Sequence, residues 1–245
     1  MSTTVIKWGL KSDVGRVRRA NQDAVMANGS LFVVADGMGG HQGGEVASEI
    51  TTGHFTNLGQ VRSIDELSDE VTNAHEMIRA RASIDPALSG MGTTVVAMAV
   101  LPAESASDPV QLGLANVGDS RVYMYQDGEL EQVSVDHSLV DELVRAGQLT
   151  PEEARSHPQR NVVTRALGAD MAVEVDTWVL PALPGQRYLL CSDGLINEVA
   201  NPAVQEVLAG MSDPETAASE LVELANESGG RDNISVLIVD IEAGP

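Results

Sequence analysis

Short β-branched runs separated by the pairs Asn28-Gly29, Gly118-Asp119 and Asp127-Gly128 constrain this 245-residue chain more than any other feature. Two-residue turns join only antiparallel neighbours, so these pairs predict hairpins within antiparallel sheets. Strands are expected at residues 5–10, 24–27, 31–35, 93–101, 110–117, 121–126, 173–179, 187–191 and 234–240. Helical patterns lie between them at 44–54, 64–82, 139–146, 151–156, 202–208 and 214–227, and Pro151, Pro202 and Pro214 each suit a first turn. This is not the regular strand–helix alternation of a doubly wound sheet. It predicts an α+β fold, a four-layer αββα sandwich with two central antiparallel sheets flanked by helix pairs. Hydrophobic residues make up 43% of the chain, ample for one large core, and residues 1–245 are read as a single domain. The mostly polar stretch 136–168, with two short helices, reads as a flap inserted into that domain.

Three segments place an aspartate at the end of an apolar strand. Asp36 follows 31–35, Asp193 follows 188–192, and Asp232 precedes 234–239. If the third strand runs antiparallel to the others, all three carboxylates reach one edge of the sandwich. Asp119 falls in the expected hairpin turn after 110–117, and Asp23 opens a strand after Asn21-Gln22. Carboxylates brought this close raise one another's pKa, so several ionised aspartates at one edge call for a cation. The donors are hard oxygens, with no cysteine or histidine pair at zinc spacing, which favours Mg²⁺ or Mn²⁺. Gly37, after Asp36, is expected to let the chain turn sharply and to offer its carbonyl as a ligand. Turn formation explains any one Asp-Gly pair alone; five acidic positions of this kind together are harder to explain that way.

Other chemistries find little support. Acidic residues number 36 against 15 basic ones, and a net charge of -21 without a basic stripe argues against nucleic acid as a partner. The longest apolar run, 95–101, is far shorter than the roughly 20 residues of a spanning helix, and polar residues follow Met1. A cytoplasmic protein without membrane contact is expected. Cys191 is the single cysteine; it ends an apolar strand without a glycine-rich loop leading to arginine, which points to packing rather than nucleophilic attack. Gly37-Met38-Gly39-Gly40 lacks the lysine of a nucleotide loop, and neither a Gly-x-Ser-x-Gly elbow nor a His-Glu-x-x-His helix is present. His54 and His75 fall in helical stretches and read as surface or satisfied side chains, whereas His137 and His157 in the flap suit structure and substrate contact equally.

Read in order, Ser12-Asp13-Val14-Gly15-Arg16-Val17-Arg18-Arg19-Ala20-Asn21-Gln22-Asp23, Ala35-Asp36-Gly37-Met38-Gly39-Gly40-His41, Met91-Gly92-Thr93-Thr94, Val117-Gly118-Asp119-Ser120-Arg121, Cys191-Ser192-Asp193-Gly194 and Gly230-Arg231-Asp232-Asn233 resemble the motifs of the bacterial type-2C metal-dependent protein phosphatases, the PPM family. The match runs through nearly the whole chain. It implies hydrolysis of phosphoserine and phosphothreonine in proteins by a metal-activated water, opposing Ser/Thr kinases. It also implies two Mn²⁺ or Mg²⁺ ions per chain: Asp36 bridging both, the Gly37 carbonyl on one, Asp193 and Asp232 on the other, and Asp23 acting through water. Asp119 resembles the ligand of a third, weaker ion beside Asp193. Arg18 would clamp the phosphate with its planar fork, with Arg19 as the less suited neighbour. The stretch 136–168 resembles the family's flap, which influences substrate choice.

One departure concerns the proton donor. Met38 stands where eukaryotic members carry a histidine proposed as general acid. His41 is a candidate donor to the leaving alkoxide; a metal-bound water, with His41 only shaping its loop, is the alternative. The implied partners are phosphorylated proteins, Ser/Thr kinases and their substrates among them, and a monomer is expected. The competing reading is a catalytically weak phosphoprotein-binding signalling module, against which stands the presence of every expected ligand.

Overall fold

The computed structural model describes residues 4–39, 42–103 and 109–244. Along the chain these form β1 (Thr4–Asp13), β2 (Asp23–Ala27), β3 (Leu31–Met38), α1 (Gly43–Thr56), α2 (Ile64–Ile84), β4 (Gly92–Thr93), β5 (Val95–Leu101), β6 (Gln111–Val117), β7 (Arg121–Gln126) and β8 (Glu129–Gln132). There follow α3 (Leu139–Arg145), α4 (Pro151–Ser156), β9 (Asp176–Pro181), β10 (Arg187–Cys191), α5 (Asp193–Ile196), α6 (Asn201–Gly210), α7 (Pro214–Glu227) and β11 (Ile234–Ala243).

One sheet has the order β1-β11-β10-β7-β8, the other β2-β3-β5-β6-β9 with β4 beside β3, and every pairing is antiparallel. The alternation of side chains along each strand separates three apolar layers. In β3, Phe32 and Val34 face the other sheet, where they join Tyr188, Leu190, Leu237 and Val239. Leu31 and Val33 face outward and pack with Phe55 of α1 and with Leu67, Val71 and Ile78 of α2. On the opposite exterior, Leu189, Cys191, Val236 and Ile238 pack under α6 and α7. The expected αββα sandwich is therefore present, with helices outside and a two-sided apolar layer between the sheets.

Local differences have physical causes. Asp127-Gly128 does close a hairpin between β7 and β8, with both residues in the left-handed region (φ 53° and 86°). Gly118-Asp119, read as a hairpin turn, instead carries the chain from β6 in one sheet to β7 in the other. The strand expected at 173–179 lies at Asp176–Pro181, while Val173 and Val175 pack against the outer helical layer. The sharp turn expected at Gly37 is not made there; β3 continues to Met38. Glycine is needed at that position because the first turn of α1 presses on it: a Cβ on Gly37 would overlap the Gly44 carbonyl, and one on Gly44 would meet Gly37.

Candidate metal centre

The two sheets deliver their aspartates to one end of the sandwich. In the first, Asp23 and Asp36 stand directly opposite each other across β2 and β3. In the second, the end of β10 and the start of β11 are neighbours, since Cys191 pairs with Val236 and the Ser192 amide donates to the Ser235 carbonyl at 3.0 Å. Asp193 leaves the first of these ends and Asp232 enters the second, as the antiparallel arrangement requires. Ser192 then ties the sheets together: its hydroxyl donates to Asp23 Oδ2 at 2.8 Å and accepts from the Ser235 amide at 2.9 Å. Asp119 arrives from the crossover between β6 and β7.

Proximity and enclosure set the electrostatics. Burial pushes the Asp23 carboxyl up to about 7 and outweighs its hydrogen bonds from Ser192 and Ser235. Burial, reinforced by the charges of Asp23, Asp193, Asp119 and Asp232, holds Asp36 well above the usual carboxylate range. Asp119 is raised to about 8 by burial and then by Asp193 and Asp136, and Asp193 to about 6 by burial and Asp232. These groups lie close enough to disfavour each other's ionisation.

The residues fit hard cations on two counts. Their donors are all oxygen, and Asp23 Oδ1 is buried without a hydrogen-bond partner, which leaves a costly unsatisfied acceptor for an ion or its hydration shell to meet. Among the described residues, no three acidic, histidine or cysteine side chains are already closed around a common point. Protein groups hold several of the carboxylates instead: Arg18 Nη2 donates to Asp232 Oδ2 at 2.7 Å, and Asn197 Nδ2 to Asp193 Oδ2 at 3.0 Å. Arg18 is thus at the cluster, with 53% of its side chain exposed. His41 lies outside the described residues.

The Protein phosphatase 2C family model matches residues 16–226. This chain belongs to the protein phosphatase 2C family. It is 41% identical over 245 residues to the serine/threonine protein phosphatase PstP of Mycobacterium tuberculosis, covering 98% of this chain but 46% of that relative. It therefore spans about half the length of that curated relative. With the serine/threonine phosphatase stp of Listeria welshimeri it shares 39% identity over 247 residues, covering 94% of each. Among solved structures, the catalytic domain of PstP in complex with two manganese ions superposes with a TM-score of 0.88 at 36% identity, covering 98% of this chain and all of that one. The α+β sandwich is the fold of this family.

Asn233, Thr93 and Thr94, which brace the acidic cluster, were not singled out individually from the sequence, whereas His137 was. Asn233 accepts from the Gln22 amide at 2.8 Å and donates to the carbonyls of Val14 and Ala20 at 2.9 Å, knotting the loop that carries Arg18. Thr94 Oγ1 accepts from the Asp36 amide at 3.2 Å, and Thr93 Oγ1 donates to the Asp36 carbonyl at 2.9 Å. His137 is buried at the base of 136–168, where Nδ1 accepts the Gly118 amide at 3.0 Å. That bond places the imidazole proton on Nε2, which donates to Asp176 Oδ2 at 3.2 Å. Arg165, 3.1 Å from the same nitrogen, then bonds Asp176 Oδ1 at 2.7 Å rather than the ring. His54 bonds Glu70 at 2.8 Å, and His75 Nδ1 accepts the Gly168 amide at 3.0 Å. His54 is thus a satisfied helix residue, whereas His75 is neither exposed nor fully satisfied as expected: its ring is buried and Nε2 has no hydrogen-bond partner among the described residues. Burial pushes the Cys191 thiol up to about 12, in keeping with packing and not with attack.

Proposed function

We propose that this chain is the catalytic domain of a metal-dependent phosphatase that hydrolyses phosphoserine and phosphothreonine in proteins. The observation that carries this reading is the convergence of Asp23, Asp36, Asp119, Asp193 and Asp232 from both sheets, with four of them forced toward the protonated state by burial and one another. Asp36, the Gly37 carbonyl, Asp193 and Asp232 would hold two Mn²⁺ or Mg²⁺ ions, Asp23 would act on their water shell, and Asp119 would hold a third. Bound there, such ions supply an activated water at neutral pH and neutralise charge on the phosphoryl group.

The remaining work falls to side chains of this chain. Asp36 is fixed at its backbone by Thr93 and Thr94, so its carboxylate is aimed rather than floppy. Arg18 sits on a loop pinned by Asn233; exchanging one oxygen of Asp232 for the phosphoryl oxygens of substrate would orient phosphorus for in-line attack. His41 remains the candidate proton donor for the serine or threonine leaving group. The natural substrates are phosphoproteins of Ser/Thr kinase signalling, met by a monomer in the cytoplasm. Among the described residues, no helix is long and apolar enough to cross a membrane.

The test is hydrolysis of a phosphothreonine peptide and a chromogenic phosphate ester after chelation, then with Mn²⁺ or Mg²⁺ restored. Activity is expected to return in the wild type and to be nearly absent in Asp36→Asn, which removes ligand charge with little change of volume. Wild-type kcat in that variant would refute the assignment. No turnover by folded, metal-loaded wild type would favour the phosphoprotein-binding module.

A further inference from the structure

A cavity of about 510 Å³ opens between α3–α4 on one side and the α5–α6 stretch on the other. Asp119 and Asp193 line it, so it is continuous with the acidic cluster. The other acids on its walls are already matched: Asp136 by Arg121 at 2.7 Å, Asp141 by Arg145 at 2.8 Å, and Glu198 by Arg231 at 2.7 Å. Arg155 and Arg160 line the same cavity, and among the described residues neither side chain has a hydrogen-bonding or ionic partner. With 36 acidic residues against 15 basic ones, acids are in large excess, so two unmatched arginines in one cavity are not a shortage of partners. Once cations neutralise Asp119 and Asp193, the uncompensated charge of this cavity is positive. Val140, Val144, Ile196 and Val199 give it apolar walls, which strengthen a charge interaction by excluding water.

We propose that this cavity is a subsite for an anionic side chain of the substrate, a carboxylate or a second phosphoryl group, within about three residues of the phosphorylated serine or threonine. An extended chain advances roughly 3.3 Å per residue, so such a side chain reaches the cavity while the phosphoester occupies the acidic cluster. The guanidinium forks of Arg155 and Arg160 match either anion. The inference rests on the phosphatase reading and adds a sequence preference to it.

Three phosphothreonine peptides test it, alike except for alanine, glutamate or a non-hydrolysable phosphonate at the flanking positions. Metal-loaded wild type is expected to show higher kcat/KM for the two anionic peptides, by roughly fivefold per arginine engaged. The phosphonate arm alone gaining would identify a second phosphate as the ligand; both gaining would show that a carboxylate suffices. The preference should shrink in Arg155→Ala/Arg160→Ala, and Arg155→Glu/Arg160→Glu should instead favour a lysine-flanked peptide. Both pairs of substitutions fall on the surface of 136–168, so folding is readily confirmed by circular dichroism. Equal kcat/KM for all three peptides, or a preference that survives in the alanine variant, would overturn the subsite while leaving the phosphatase reading intact. Failure of wild type to hydrolyse any peptide or the chromogenic ester would remove that reading, and the subsite with it.

Discussion

Asp23 shows most directly why the acidic cluster suits a cation. One carboxylate oxygen accepts from Ser192, while the other is buried with no partner. Such a group is held near neutrality by its surroundings, with a folded pKa of about 7, and Asp193 and Asp119 lie near 6 and 8. Unfolded aspartates release their protons near pH 3.9, so between about pH 4 and pH 8 the folded protein carries protons that the unfolded chain has lost. Stability without ions should therefore fall as pH rises through this window. Thermal unfolding in chelator should show a lower Tm at pH 8 than at pH 5.5, and Mn²⁺ should flatten the difference. Titration calorimetry at pH 7 in two buffers of different ionisation enthalpy should register proton release on binding Mn²⁺. No proton release would show that these aspartates are already ionised. The aspartates themselves were legible in the sequence because each stands at the end of its own apolar run. Ser192 and Asn233 were not, because what they bond lies far along the chain, 169 residues away for Asp23 and 219 for Val14.

The crossover from β6 to β7 marks the limit of reading turns locally. Gly-Asp carries a turn signal whichever strands it joins, and nothing within residues 117–121 states that the two flanking strands belong to different sheets. What holds the crossover is His137, whose ring accepts the Gly118 amide while its own amide donates to the Gly118 carbonyl at 2.9 Å. This ties the segment beginning at Asp136 to the residue before Asp119. In His137→Asn the side-chain oxygen can stand in for Nδ1, whereas the longer side chain of His137→Gln reaches toward the Nε2 position and leaves the Gly118 amide unmet. The glutamine variant should lose about 1–3 kcal/mol, the cost of a buried unsatisfied donor, and the asparagine variant clearly less. Denaturant unfolding of both variants decides this. Equal losses would mean that the Nε2 contact with Asp176, and not the Gly118 amide, is what matters. The strand β8 was missed for a related reason: Glu129-Leu-Glu-Gln is too short and too polar to signal a strand, and forms one because the Asp127-Gly128 turn folds it back on β7.

The layered architecture was the most readable property of the chain, since period-two alternation is written into residues such as Leu31-Phe32-Val33-Val34 and survives whatever the loops do. Which alternate set faces the other sheet, and which the helices, was not readable, because both sets are equally apolar. Leu114 belongs to the set between the sheets and is fully buried. Leu114→Ala should lower stability by about 2–5 kcal/mol, the usual range for a cavity of this size in a close-packed core, as read from denaturant unfolding in chelator. A loss below about 1 kcal/mol would mean that the sheets relax together around the gap.

Ser192 reaches across that same layer to Asp23, and the carboxylates it organises are rooted in different sheets. On the proposed assignment, ions held by Asp36 from one side and by Asp193 and Asp232 from the other would act as rivets through two plates. The spacing of the plates is set by apolar side chains such as Leu114, remote from any chemistry. Ion affinity would then become a gauge of how the plates are seated, and a sequence change deep in the interlayer would weaken ion binding without altering one of the proposed ligands.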